Sequence, residues 1–182
     1  MKNLVIHPND CSTTFLKSIY GKAQNKTVIE GNSTPNKIEA LIKRSDRVLM
    51  MGHGSCDGLF SMRLFSKHRK WNVISRDEAN ILRDKTQNIY IWCNADKYVE
   101  GNDLHGFYSG MFVSEVGEAW AMGLGKVSQN TVNESNYTFA EIVGDYIGLH
   151  IEDLYEKVMD EYGELAMHNP VAQYNIERIF VR

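Results

Sequence analysis

Two residues in this chain have side chains suited to nucleophilic catalysis, and each closes an apolar run. His53 stands between two glycines in "VLMMGHGSCDGLF" (48–60), and Cys93 ends "NIYIWC" (88–93), about 40 residues further on. A free thiol with a pKa of about 8.5 is mostly protonated at neutral pH, whereas an imidazole beside it can take the proton and leave a thiolate, the form that attacks a carbonyl. Gly54 offers a backbone N–H that no side chain shields, and the N–H of Cys93 offers a second, so the pair suits an oxyanion hole. The expected site is therefore His53 as base, Cys93 as nucleophile, and Gly54 with Cys93 as oxyanion donors. Each residue also has a structural reading, Cys93 as a small buried hydrophobe and His53 as a turn residue. Their joint placement favours the chemical one.

Other constellations are weaker. His53 and Cys56 with Cys93 and His105 would offer nitrogen and sulfur to a metal, but no paired Cys-x-x-Cys or His-x-x-x-His holds them, so no metal is expected. No organic cofactor is expected either. A nucleotide-binding reading lacks any Gly-x-Gly-x-x-Gly or phosphate loop after a strand. Cys11 and Cys56 read as incidental, with Cys56 a rival nucleophile because it lies close to His53 in sequence. Asp57 is a candidate to orient His53 by proximity alone, and the solvated turn carboxylate is the favoured reading.

Alternating elements must position these residues. "LVIH" (4–7), "KTVIE" (26–30), "RVLMMGH" (47–53) and "NIYIWC" (88–93) read as strands. The intervening "STTFLKSIYGKA", "STPNKIEALIKRS" and "EANILRDK" (78–85) read as helices, the second opened by Thr34 as cap and Pro35 as first helical residue. The unbroken apolar character of the third strand suits burial on both faces of a parallel sheet. This β-α-β order predicts right-handed crossovers and an α/β three-layer sandwich with a mostly parallel central sheet, in which ligands collect at the carboxyl ends of the strands. His53 and Cys93 share that rim if their strands are neighbours. Beyond them, 137–149 and 151–166 carry apolar residues at helical spacing, and Asn169-Pro170 stops the second helix. The expected organisation is one domain over 1–182, with an α/β core in 1–124 and a mainly helical C-terminal extension in 125–182.

Composition bounds the partners. With 182 residues, 43% hydrophobic and 24% charged, the chain is long enough to bury one core. A net charge of −3 with scattered Lys and Arg gives no basic stripe for nucleic acid. The apolar run before His7 and Pro8 is too short for a signal-peptide core, and no segment approaches the roughly 18 apolar residues of a membrane span, so a cytoplasmic protein is expected. Three widely spaced cysteines fit reduced thiols.

An apolar strand ending in His53-Gly54, followed by an apolar strand ending in Cys93, resembles the signature of the caspase-like (clan CD) cysteine peptidases, and "GHGSCDGLF" is most similar to the legumain type of that turn. The resemblance covers residues 1 to about 124 in element order and is motif-specific at His53-Gly54 and Cys93. It implies a caspase-like fold, a cysteine endopeptidase with His53 and Cys93 as its dyad, and a protein or peptide substrate. The segment 104–124 would be a short fifth strand running into a helix. Tyr90, Ile91 and Trp92 stand where caspases place Gln-Ala before the nucleophile, and "HPNDCST" has no Arg, so a preference for aspartate is not implied. Asp10, Asp57 and Asp96 instead follow the first strand, the His-Gly turn and the nucleophile; as substrate-binding residues they would favour a basic side chain before the scissile bond. The alternative function is a catalytically silent module of the same fold that binds a partner protein through "WNVISRDEANIL" or the helical tail.

Overall fold

The computed structural model describes every residue except 9, 32 and 62–70. In chain order the strands are β1 (Asn3–Ile6), β2 (Lys26–Ile29), β3 (Arg47–Met51), β4 (Gly54–Ser55), β5 (Gly58–Phe60), β6 (Asn72–Ile74), β7 (Ile89–Ile91), β8 (Phe107–Ser109) and β9 (Ile179–Val181). The helices are α1 (Lys17–Gly21), α2 (Pro35–Arg44), α3 (Arg76–Leu82), α4 (Ala95–Gly101), α5 (Val116–Ala121), α6 (Gln129–Asp145), α7 (Ile151–Ala166) and α8 (Pro170–Ile176), with a 3-10 turn at Thr14–Leu16. Six strands form one sheet in the order β2-β1-β3-β7-β8-β9, parallel except for β9, which runs antiparallel to β8. The short β4, β5 and β6 make a separate antiparallel sheet between β3 and α3 in sequence.

Alternation along the central strands divides the core in two. Val5, Leu49, Met51 and Ile89 face α1, α6 and α7, where Ile19, Phe139 and Leu154 meet them. Leu4, Ile6, Val48 and Met50 face the other way, against Ile38 of α2, Leu82 of α3 and Tyr98 of α4. Every residue of β3 is buried, because both of its faces are covered. The expected α/β fold with a mostly parallel sheet is thus observed, and helices on both faces are compatible with a three-layer sandwich. Local signals act where expected: Pro35 opens α2, and the side chain of Thr34 accepts from the N–H of Lys37.

Residues after 124 belong to this packing. Phe139 and Val143 of α6 share a core cluster with Val5 and Leu49, and β9 closes the sheet edge with Tyr108 opposite Phe180. Among the described residues, no helix is long and apolar enough to cross a membrane.

Candidate functional site at the carboxyl rim of the sheet

β3 and β7 are hydrogen-bonded parallel neighbours, with Leu49 opposite Ile89 and Met51 opposite Ile91. His53 and Cys93 each stand two residues past the end of their strand, so both leave the same rim. The His-Gly turn is tied to β7 by the N–H of Gly52, which donates to the carbonyl of Ile91 at 3.1 Å. Gly54 then packs against Trp92: a Cβ there would lie 2.2 Å from Trp92 Cδ1 and 2.7 Å from the carbonyl oxygen of Gly58. Trp92 also donates its indole N–H to the carbonyl of Ser55 at 3.0 Å. The glycine after His53 therefore has a packing reason of its own, and it holds the turn against the residue that precedes Cys93.

His53 is oriented by the loop after β1. Its Nε2 lies 3.0 Å from Asp10 Oδ2 and 2.8 Å from Ser12 Oγ. Ser12 Oγ donates to Asp10 Oδ1, so it accepts from the imidazole, and the network assigns the ring proton to Nε2. Among the described residues Nδ1 takes no hydrogen bond and carries the free lone pair. This is not a Ser-His-Asp triad, since serine and aspartate share one ring nitrogen and the hydroxyl is an acceptor there. Burial alone would push the carboxyl of Asp10 up. Hydrogen bonds from Ser12 and Thr13, with the charge of His53, outweigh that and hold it below its ordinary value.

A buried layer supports this loop. His7 is fully enclosed; its Nδ1 meets the Tyr20 hydroxyl at 3.1 Å and its Nε2 meets Thr13 Oγ1 at 3.2 Å. Tyr20 in turn donates to Glu30 at 3.1 Å, and Thr13 donates its backbone N–H to Asp10 at 3.1 Å. Desolvation lowers the His7 pKa from 6.5 to about 4, so the ring is neutral at physiological pH.

Cys93 has different partners. Its thiol donates to the carbonyl of Phe112 at 3.6 Å and faces Glu118 Oε1 at 4.0 Å. Desolvation, then the negative charge of Glu118, push its pKa up to about 12. Asn94 follows in the left-handed region, at a φ of 64°, and its N–H donates to the carbonyl of Gly110 at 3.1 Å, which turns the chain sharply from β7 into α4. Among the described residues no hydrogen bond joins Cys93 to His53.

The other expected residues take separate settings. Asp10 contacts His53 rather than lining an open pocket. Asp57 is exposed beyond β4, in a cleft with Asn72, Ser75, Arg76 and Lys97. It does not orient His53, because the turn from β4 to β5 carries it toward α3 and α4. Asp96 lies in the first turn of α4 beside Gly110, with Oδ1 buried and unpartnered. Cys11 and Cys56 are exposed free thiols, and no cluster of His, Cys, Asp or Glu among the described residues could hold a metal ion.

Sequence reasoning missed Ser12, Thr13, His7 and Glu118. The Asp-x-Ser-Thr run at 10–13 is a recognisable Asx-type turn, and Glu115 with Glu118 has the i, i+3 spacing of a helix-start capping box. Neither signal says which ring or thiol it will meet. Comparison with protein-family models and with curated protein sequences finds no match to this chain.

Proposed function

We propose that this protein is a cysteine endopeptidase of the caspase-like type, with His53 and Cys93 as its dyad. The observation that supports this reading most is the adjacency of β3 and β7, which sends a histidine and a cysteine off neighbouring parallel strands at the rim where such sheets bind ligands. Asp10 and Ser12 hold the Nε2–H of His53, which leaves Nδ1 as the base. In turnover the thiol of Cys93 leaves Phe112 and Glu118 and gives its proton to Nδ1. The thiolate then attacks the peptide carbonyl, whose oxyanion meets the N–H groups of Gly54 and Cys93. His53 returns the proton to the departing amine, and water, deprotonated by the same ring, hydrolyses the thioester. The side chain before the scissile bond is basic in this reading.

One observation favours a second reading, a silent module that binds a partner protein: burial, and then the charge of Glu118, hold the thiol protonated, and among the described residues it has no hydrogen bond to the imidazole. Trp71, at the head of "WNVISRDEANIL", is 77% exposed and would serve as a contact residue.

Alkylation with iodoacetamide near pH 7.5, mapped by peptide mass spectrometry, separates the two. A peptidase labels Cys93 faster than the exposed Cys11 and Cys56, and His53→Ala slows that labelling. Cys93→Ala abolishes peptide hydrolysis with little change in melting temperature. Slow labelling of Cys93 in both proteins, with no peptide cleaved, would establish the silent module.

A further inference from the structure

A cleft of about 370 Å³ lies between the loop after β1 and the start of α6. One edge is Ser12, the residue bonded to His53; the opposite edge is Ser114, whose N–H and hydroxyl are held by the same Glu118 that faces Cys93. The cleft is thus linked to His53 through Ser12, and to Cys93 through Ser114 and Glu118. Among the described residues, its lining contains no lysine, arginine or histidine. Glu115 supplies a carboxylate. Asn136, only 4% exposed, gives its amide N–H to the carbonyl of Ser114 at 2.8 Å and keeps an Oδ1 without a partner. A buried acceptor left unmade is costly, and a donor brought by a ligand would relieve it. Phe15 and Tyr137, edge to face at 6.4 Å, form an aromatic wall, with Tyr137 about half exposed.

We infer that this cleft is the recognition pocket for a cationic side chain of the peptide, arginine or lysine, adjacent to the bond that is cleaved. The inference deepens the peptidase reading and rests on it for the position of that bond. A long methylene stem suits the wall of Phe15 and Tyr137, and a guanidinium or ammonium group suits Glu115, the Asn136 oxygen and the face of Tyr137. An acidic side chain would meet the carboxylate of Glu115. A short apolar one would leave the Asn136 acceptor unmet. Cationic specificity then depends on Glu115, which none of the aspartates in the strand-end loops replaces.

The test is a titration of the full chain with Nα-acetyl-arginine amide, followed by amide NMR, beside the same titration with the citrulline analogue, which keeps the shape and loses the charge. Saturable shifts at Ser114 to Gly117 and at the Asn136 side-chain amide are expected. Binding should be about ten-fold weaker for citrulline and in Glu115→Gln, the size of one charge-assisted hydrogen bond. Equal binding of citrulline, an indifferent Glu115→Gln, or no saturable shift at these residues would overturn the pocket. A fluorogenic peptide library read beside it keeps the two ideas apart. Cleavage without an Arg or Lys preference overturns the pocket and leaves the peptidase. Arginine-specific binding with no peptide cleaved retires the peptidase and leaves a cation site.

Discussion

His53 and Cys93 leave adjacent strands of one sheet, and their surroundings oppose each other. The imidazole sits about one-quarter exposed, with Nε2 fixed by Asp10 and Ser12 and a buried polar layer of His7, Tyr20 and Thr13 beneath. The thiol is desolvated by burial and faces a carboxylate, an environment that favours its protonated form. One member of the pair is preorganised and the other is restrained. In the proposed reaction the rearrangement lies with the Cys93 segment, since the ring is already held in the tautomer a base requires.

The largest effect expected of this contrast concerns the support under His53. Folding lowers the His7 pKa from 6.5 to about 4, so the unfolded chain binds a proton that the native state refuses. The stability this contributes is complete above pH 6.5 and is lost as pH falls through that window to about 4, a cost of about 3 kcal/mol. Urea denaturation at pH 7 and pH 4, with NMR of the imidazole rings, would check it. A His7 ring that titrates near 6.5 would remove the neutral layer from the account.

A somewhat smaller effect tests the place where the two regions meet. Gly54→Ala drives a Cβ into Trp92 and the carbonyl of Gly58, and overpacking of this kind costs about 2 kcal/mol. For a chain of this size that lowers the melting temperature by about 4–8 °C. An unchanged melting temperature would show that the His-Gly turn is not pinned on the tryptophan before Cys93.

The smallest effect bears on the restrained thiol. Glu118→Gln removes a negative charge that disfavours the thiolate, so the Cys93 pKa moves down from about 12, although burial, the larger cause, remains. A fall of about one pKa unit would raise alkylation of Cys93 at pH 8 about ten-fold. The pH dependence of iodoacetamide labelling measures it directly. A profile that does not move would mean that burial alone restrains the thiol, and the contrast with His53 would reduce to depth.

Much of this fold is written in local patterns. "RVLMM" has no polar residue to face water after Arg47, so it reads as a strand covered on both sides. The Thr34-Pro35 pair caps α2, and 151–166 shows its apolar stripe before any coordinates are known. These features follow from the chain's own periodicity and capping chemistry, which act over a few residues. The rim position of His53 and Cys93 was also legible, conditional on strand order, because strand ends are local and the direction of crossovers is general. By contrast, proximity along the chain points to Asp57, four residues from His53, whereas the structure supplies Asp10, which is 43 residues away, because β1 is the hydrogen-bonded neighbour of β3.

The sequence by itself therefore determined which residues stand at the ends of apolar strands, a histidine and a cysteine among them, and where the main helices run. Only the tertiary structure decided what each would feel: Asp10 and Ser12 on the imidazole and Glu118 on the thiol, with Asn136 and Glu115 in the cleft that Ser12 and Ser114 line. The reason is physical. Side-chain periodicity and caps are set by neighbours along the chain, whereas hydrogen-bond geometry and burial depend on which loops converge at one rim, and that convergence is fixed by sheet order and by the packing of α5 and α6 across distances the sequence does not encode locally.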